Sequence, residues 1–332
     1  MSHAPTAPLV AILGPTGSGK SHLALEVAAR FAGEIVNCDS LQFYRHLDIG
    51  TAKVPPAGQR GIPHHLLDVV NPDEVFTAGE YARRARPLLE DIVARGRLPV
   101  VAGGAGFYLR ALLEGLFPGP TRDAALRARL AAREAKRPGS LHRLLTRFDL
   151  QAARRIHPRD VQKLTRALEV LLLTRHPLSS WLAAGRDPLR GFRPLKMALD
   201  PPREALYERL NRRCERMFAA GLLQEVRGVL ALGFPETSKP LEAHGYRQAL
   251  QRLKGELTLE QAVCSAQRNT RRYAKRQWTW FRREPDVVWI KGFGDHPDVR
   301  QAACQLVESF LVDCGAGFTP PYTPSRPICD SR

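Results

Sequence analysis

Near its N-terminus the chain must place a strand, a tight glycine turn and a helix start in immediate succession. Residues 14–21 read Gly14-Pro15-Thr16-Gly17-Ser18-Gly19-Lys20-Ser21, the full G-x-x-x-x-G-K-[ST] phosphate loop. The apolar run Leu9-Val10-Ala11-Ile12-Leu13 before it predicts a buried parallel strand, and Leu23, Val27 and Phe31 after it recur at helical spacing. Glycines in such a turn let backbone N–H groups face inward onto an anion, the helix N-terminus adds partial positive charge, and Lys20 adds a full one. The Ser21 hydroxyl can ligate a metal ion that bridges phosphate oxygens. With the context right on both sides, a chance match on an ordinary strand–helix turn is set aside. The loop specifies a polyphosphate ligand and leaves open what happens to it.

The alternation continues downstream. A second strand is predicted over 34–38, ending at Asp39-Ser40, and a helix over 77–95. That helix opens on Thr77 with Glu80 three residues on, a capping box, and stops at Gly96. A third strand over 98–102 runs into Gly103-Gly104-Ala105-Gly106. The pattern predicts an α/β class: a P-loop NTPase-like parallel sheet flanked by helices. It breaks at Pro118-Gly119-Pro120, after which the chain is helical in period to about residue 177. Residues 121–175 hold 14 Lys and Arg against 5 Asp and Glu, which marks a basic helical insertion domain. Strand character returns over 195–199. Helices follow at about 203–220, 222–231, 245–253 and 259–282, and a last strand at 287–290. The expected division is a core of 1–117 and 191–313, an insertion of 118–190, and a proline-rich, disordered tail of 314–332.

Composition narrows the partner. The 332 residues include 50 Lys and Arg against 33 Asp and Glu, a formal charge of +17. A small-molecule kinase has no need of that excess. It points to a polyanion such as nucleic acid, or else to a solvated surface with an inherited arginine bias. No apolar run is long enough to span a bilayer, and the first residues lack the charged and apolar regions of a secretory signal. None of the six cysteines forms a C-x-x-C pair. The expectation is a cytoplasmic protein with free thiols.

Asp39 lies at the carboxyl end of the second strand, where open α/β sheets bind ligands. It can ligate a metal, accept a proton, or cap the next turn. A nucleotide hydrolase would add a metal-binding carboxylate on another strand. The strand at 98–102 ends in Ala and Gly instead, leaving Asp68 or Asp200 as substitutes. The four residues 103–106 form either a second close approach to a ligand or a plain tight turn. Residues 268–283 are dense in cations and aromatics, and Arg268, Arg272, Lys275 and Arg276 share one helical face suited to phosphates. For Tyr273, Trp278 and Trp280 a core role is favoured over stacking on bases. Arg209, Arg213 and Arg216 also share a face, as a phosphate clamp or as a surface lattice with Glu204, Glu208 and Glu215.

Taken in order, these stretches resemble the tRNA dimethylallyltransferases, also called tRNA isopentenyltransferases, from about Leu9 to Arg283. The signatures are residues 14–21; Asn37-Cys38-Asp39-Ser40-Leu41-Gln42-Phe43-Tyr44; Leu47-Asp48-Ile49-Gly50-Thr51-Ala52-Lys53; and His64-His65-Leu66-Leu67-Asp68. Then come Ala102-Gly103-Gly104-Ala105-Gly106-Phe107-Tyr108, Arg166-Ala167-Leu168-Glu169-Val170, Gly245-Tyr246-Arg247-Gln248 and Thr270-Arg271-Arg272-Tyr273-Ala274-Lys275-Arg276-Gln277. The resemblance implies transfer of a dimethylallyl group from dimethylallyl diphosphate to N6 of an adenosine next to the anticodon of tRNA, position 37. The phosphate loop, Gly14 to Ser21, would then hold a diphosphate leaving group, with Mg²⁺ on Ser21 as cofactor. Asp39 would be the base, and Arg213 would touch the diphosphate. By the same resemblance Asp39, Ser40, Leu41, Gln42 and Ala105 would lie near the acceptor base. Arg127, Lys163, Leu164, Thr165, Arg166, Ala167, Gly245, Tyr246, Arg247, Gln248, Arg272, Lys275, Arg276, Arg282 and Arg283 would grip the RNA. The acceptor must leave its stack to reach a buried donor. The protein is expected to act as a monomer.

Some positions depart from the family pattern. Gly17 stands for a commoner Ala and Ser21 for Thr, with the hydroxyl kept. Ala105 stands for Thr and loses a polar contact. Phe43 for Val and Phe107 for Leu read as packing changes. A small-molecule kinase using ATP is the rival from the same fold. A non-catalytic RNA-binding protein is the rival from another class, and the intact Lys20 and Ser21 argue against it.

Overall fold

The computed structural model of the chain describes residues 6–315. The tail expected from residue 314 lies, past Gly315, outside them, as do residues 1–5. One compact unit comprises the chain up to Leu112 together with Arg190 onward, and a second comprises Leu113–Leu189.

The first unit opens with β1 (Ala7–Leu13), α1 (Lys20–Arg30), β2 (Gly33–Asn37) and the two-residue β3 (His64–His65). Next come α2 (Ala78–Ala94), β4 (Leu98–Ala102) and α3 (Gly106–Leu113), whose last residue falls in the second unit. The sheet is parallel throughout, in the order β3-β2-β4-β1 and then, from the chain after the second unit, β5 (Phe192–Asp200) and β6 (Val287–Lys291). Its central strands are buried on both faces. Leu9 to Leu13 are at most 1% exposed, which is why they read as an unbroken apolar run with no alternation. The α2 cap is half the expected box. Thr77 Oγ1 accepts from Glu80 N, but the Glu80 carboxylate pairs with Arg83 and Arg84 and does not return to the cap.

The second unit holds α4 (Ala124–Lys136), α5 (Ser140–Phe148), α6 (Leu150–Arg155), α7 (Val161–Thr174) and α8 (Leu178–Ala183) around a core that includes Leu130, Leu141, Leu145, Leu164 and Leu168. Its positive exterior has a structural cause. Asp123, Asp149 and Asp160 cap α4, α6 and α7. Glu134 accepts from Gly139 N, Leu141 N and Ser140 Oγ at the start of α5. Glu169, fully buried, accepts from Arg127, Arg166 and the Asp123 N–H. All five carboxylates between 121 and 175 thus serve caps or internal clasps, and exposed Arg129, Arg133, Arg147, Arg154 and Arg155 keep their charge facing solvent.

Burial alone would raise the Glu169 pKa, but hydrogen bonds from Arg127 and Arg166 outweigh it and hold the carboxyl at about 2. A depressed carboxylate pKa contributes stability that is present above the ordinary value near 4.5 and lost as pH falls toward 2. Glu169→Ala is therefore expected to cost this unit about 3 kcal/mol at neutral pH, because two arginines lose their buried partner. The deficit should shrink as pH is lowered from about 4.5 toward 2. Chemical unfolding of wild type and variant at both ends of that range checks both statements.

The first unit continues with α9 (Arg203–Ala219), α10 (Leu222–Ala231), α11 (Tyr246–Leu253), α12 (Leu259–Phe281) and α13 (Pro297–Asp313). α13 is a helix that the motif-led sequence reading passes over. Its Val299, Ala303, Val307 and Phe310 close the sheet face covered by α1, packing with Leu23, Val27, Val10 and Ile12 in one core. No helix among the described residues is long and apolar enough to cross a membrane.

Candidate active site

The phosphate loop joins β1 to α1 at the carboxyl edge of the sheet. Gly17 has φ +79°, and a Cβ there would sit 2.7 Å from Leu210 Cδ2. That conformation and contact account for glycine where the resemblance leads one to expect alanine. The loop is braced from outside: Gly294 N donates to Ser18 O, and Thr16 N donates to Gln277 Oε1 at 2.8 Å. The N–H groups of Gly17 and Gly19 have no protein acceptor among the described residues, so they remain for a ligand. Lys20 Nζ reaches back to Pro15 O at 2.8 Å. Burial lowers its pKa from 10.5 to about 8, opposed by the charge of Asp39 and assisted by that of Arg213. Ser21 is exposed on the rim of the same cleft.

Asp39 follows β2. Its N–H donates to Asn37 Oδ1, and its Oδ1 accepts from Leu41 N at 3.0 Å. This is an Asx turn, so the capping reading is correct as geometry. It does not compete with a chemical role. The turn occupies Oδ1, Oδ2 has no hydrogen-bond partner among the described residues, and the side chain lines a cleft of about 840 Å³ together with Lys20, Ser21, Gln42 and Arg213. Asn37 anchors the turn by donating to Leu66 O. Ser40 and Leu41 continue it, half-buried, and Ala105 N donates to Cys38 O at 3.1 Å, holding the end of β2 against the β4–α3 turn.

The substitute carboxylates are otherwise engaged. Asp68 pairs with Lys53, and Asp200 Oδ1 accepts the Trp278 indole N–H at 2.8 Å. Neither lines the cleft. The surface lattice on α9 is also corrected. Arg209 turns to Asp295 in a bidentate pair at 2.7 and 2.8 Å, and no ion pair joins it to Glu204, Glu208 or Glu215. Arg213 donates to Thr51 O at 3.4 Å, and with Arg216 it lines the cleft.

Glycines 103, 104 and 106 make room for protein. A Cβ on Gly104 would stand 2.1 Å from Gln277 Nε2, and one on Gly106 would stand 2.1 Å from Trp280 Cδ1. Opposite the loop, Glu225 of α10 accepts from the N–H groups of Asp48, Ile49 and Gly50 and from the Tyr246 hydroxyl. It clips the 48–53 segment over the cleft. Gln277, Glu225 and Asp295 are site residues that the motifs alone do not mark: Gln277 lies inside the signature over 270–277, whereas Glu225 and Asp295 carry no local signal.

The residues expected to grip RNA divide. On α12, Arg268, Arg272, Lys275 and Arg276 are exposed on one face, as are Arg282 and Arg283 beyond it. Arg272, Lys275, Arg276 and Arg283 line a hollow of about 490 Å³ with Arg110, Thr279 and Trp280. Trp278 is buried, Tyr273 packs with its ring 4.6 Å from that of His244, and Trp280 lies beneath the Arg110 guanidinium at 4.7 Å, so the aromatics build the fold. Elsewhere the expectation needs correction. Leu164, Thr165 and Ala167 face the core of the second unit, and Arg127 and Arg166 are committed to Glu169, leaving Lys163 exposed beside Asp160. Tyr246 and Gln248 are buried, with Gln248 Oε1 accepting from Gly245 N, and Arg247 alone of that stretch is exposed. Helical period puts alternate residues of a short signature on opposite faces. Phe43 is fully buried among Phe76, Tyr81 and Tyr108, a packing role, whereas Phe107 is half exposed against the edge of Trp280.

Among the described residues no three His, Cys, Asp or Glu side chains form a metal cage. Ser21 Oγ, without a hydrogen-bond partner among the described residues and at the start of α1, fits the sparse protein ligation of Mg²⁺, which takes most of its ligands from phosphate and water.

Comparison with known proteins gives the family. The family model for IPP transferase matches residues 42–284. A tRNA dimethylallyltransferase of Solibacter usitatus is 64% identical over 304 residues, covering 92% of this chain and 99% of the relative. One of Koribacter versatilis is 55% identical over 302 residues, covering 91% and 98%. The crystal structure of the tRNA isopentenylpyrophosphate transferase of Bacillus halodurans superposes with a TM-score of 0.69 at 35% identity, over 93% of this chain and 98% of that one. A eukaryotic dimethylallyltransferase acting on tRNA superposes with a TM-score of 0.79 at 26% identity, over 97% and 82%. The chain belongs to the tRNA dimethylallyltransferase (IPP transferase) family.

Proposed function

We propose that this protein transfers the dimethylallyl group of dimethylallyl diphosphate to N6 of the adenosine beside the anticodon of tRNA and releases diphosphate. The observation that carries the reading is that a phosphate loop and a carboxylate with one unengaged oxygen share one cleft, whose other carboxylates, Glu26, Asp48 and Asp295, are each paired with a Lys or Arg. The diphosphate lies on the open N–H groups of the loop and against Lys20 and Arg213. As the bond from the prenyl carbon to the diphosphate oxygen breaks, negative charge grows on the leaving oxygens, and these fixed donors stabilise it more than they stabilise the bound donor. The adenine N6 lone pair forms the new carbon–nitrogen bond. That amine is a weak nucleophile because its lone pair is delocalised into the ring. Asp39 Oδ2 takes the proton that N6 must lose. A Mg²⁺ held through Ser21 Oγ supplies further charge neutralisation on the diphosphate when bound.

The basic face of α12 supplies sequence-independent grip on RNA phosphates. Changing Lys275 and Arg276 together to Ala is expected to weaken tRNA binding and to flatten its dependence on salt by about 0.7 per phosphate contact in log–log slope. Titrations at several salt concentrations measure this, and an unchanged slope would move the RNA footprint off α12. The function itself is tested by incubating protein, Mg²⁺, unmodified tRNA and prenyl-labelled dimethylallyl diphosphate. Label entering tRNA without ATP supports the proposal. ATP consumed with no label transferred supports the kinase rival.

A further inference from the structure

α12 has two faces with different work. Outward it presents Arg272, Lys275 and Arg276. Inward, between Lys275 and Thr279, Gln277 is buried at 5% exposure and touches two separate loops at the carboxyl edge of the sheet. Its Oε1 accepts from Thr16 N at 2.8 Å, and its Nε2 donates to Gly104 O at 2.9 Å. The amide orientation is forced, since a backbone N–H can only donate and a carbonyl can only accept. No other natural side chain of this length offers both groups without charge. A glutamate would set a carboxylate oxygen against Gly104 O, and a leucine would satisfy neither loop. The approach is close enough that Gly104 has no space for a Cβ on that side.

The consequence for the phosphate loop is rotational. The Thr16 N–H is turned onto Gln277, while the Gly17 and Gly19 N–H groups, on residues that line the cleft, have no protein acceptor among the described residues. Ser18 N and Lys20 Nζ both close on Pro15 O, so with the Gln277 contact the first half of the loop is held by three bonds. One of them comes from a residue 261 positions away in the chain. Without Gln277 the half-buried Thr16 N–H would lose its protein acceptor and be free to rotate, and the cradle after it would lose its preset form.

We infer that Gln277 is a positioning residue of the donor site: by holding Thr16 N and Gly104 O it presets the phosphate loop for the diphosphate. This rests on the reading that the loop binds a diphosphate. The side chain touches no reacting atom and acts through the loop.

The test uses the full chain with Gln277→Leu and with Gln277→Met, the latter keeping the length of the side chain. Inorganic diphosphate with Mg²⁺ is the probe in calorimetry, and KM values for donor and for tRNA are measured separately. The expected result is a weakening of diphosphate binding and a rise in donor KM of about tenfold each, with tRNA KM within about twofold of wild type. A merely structural role would lower melting temperature or active fraction and leave donor KM of the folded fraction unchanged. That result in either folded variant overturns the inference, as does an equal rise in both KM values. If Gln277→Leu does not fold, Gln277→Met decides. Wild-type protein failing to bind diphosphate would instead remove the functional reading beneath it, and the two failures are distinguished by that control.

Discussion

Asp39→Ala is expected to bind tRNA within about twofold of wild type and to lose between about 10² and 10⁴ of its turnover, the usual worth of a positioned general base. The asymmetry follows from the two oxygens of one side chain. Oδ1 closes the turn over Leu41, and Oδ2 faces the cleft. Alanine removes both, so a second variant separates them. Asp39→Asn keeps an oxygen for Leu41 N and loses the proton acceptor. If the lost base is the cause, Asn and Ala fall together. If a loosened turn is the cause, Asn recovers most of the rate. Single-turnover transfer at saturating donor and tRNA measures this, and near-wild-type turnover in Asp39→Asn would remove Asp39 from the chemistry.

Lys20→Ala is expected to reduce kcat/KM for the donor by about 10²–10³, the scale of removing one preorganised donor to a developing anion. The same residue gives the pH profile its basic limb. Burial holds the Lys20 pKa at about 8 in the free protein, so the charged form that attracts diphosphate prevails below that pH and is lost above it. Donor kcat/KM should fall as pH rises through about 8, with tRNA binding far less affected. kcat should hold to higher pH, because a bound diphosphate favours the protonated amine and raises its pKa. Steady-state profiles of wild type and Lys20→Ala decide the point. The variant should lack this limb, and a wild-type profile flat to pH 10 would contradict the assignment.

What was legible beforehand depended on how local its cause was. Strand, loop and helix around Gly14–Ser21 are contiguous, so their chemistry can be read without the fold. Asp39 was legible because the end of a parallel strand has a fixed relation to the ligand edge of the sheet. The hydrogen bonds show the cap on Oδ1 and leave Oδ2 without a partner among the described residues, so the chemical reading is not displaced by it. The bonds that finish the site were not legible. Gln277 with Thr16, Glu225 with residues 48–50, and Arg209 with Asp295 join segments tens to hundreds of positions apart, and no spacing rule relates them. α13 shows a different failure. Its Val299, Ala303, Val307 and Phe310 do follow helical period, but they carry no motif and escaped a reading led by motifs. In the second unit the excess of arginine was visible. The commitment of every acidic residue between 121 and 175 to a cap or a clasp was not, since only the fold shows which charges are already spent. A linear signature groups Leu164, Thr165 and Ala167 with their charged neighbours because it ignores the helix face.

On the proposed function the phosphate loop holds a leaving group and transfers no phosphoryl group. The most direct measurement uses dimethylallyl diphosphate carrying one label in the prenyl chain and a second in the diphosphate, turned over once with unmodified tRNA. The prenyl label is expected on a tRNA adenine, with the phosphorus label recovered in equal amount as free inorganic diphosphate. Phosphorus label on the tRNA, or prenyl label remaining with the diphosphate while ATP is consumed, would contradict it.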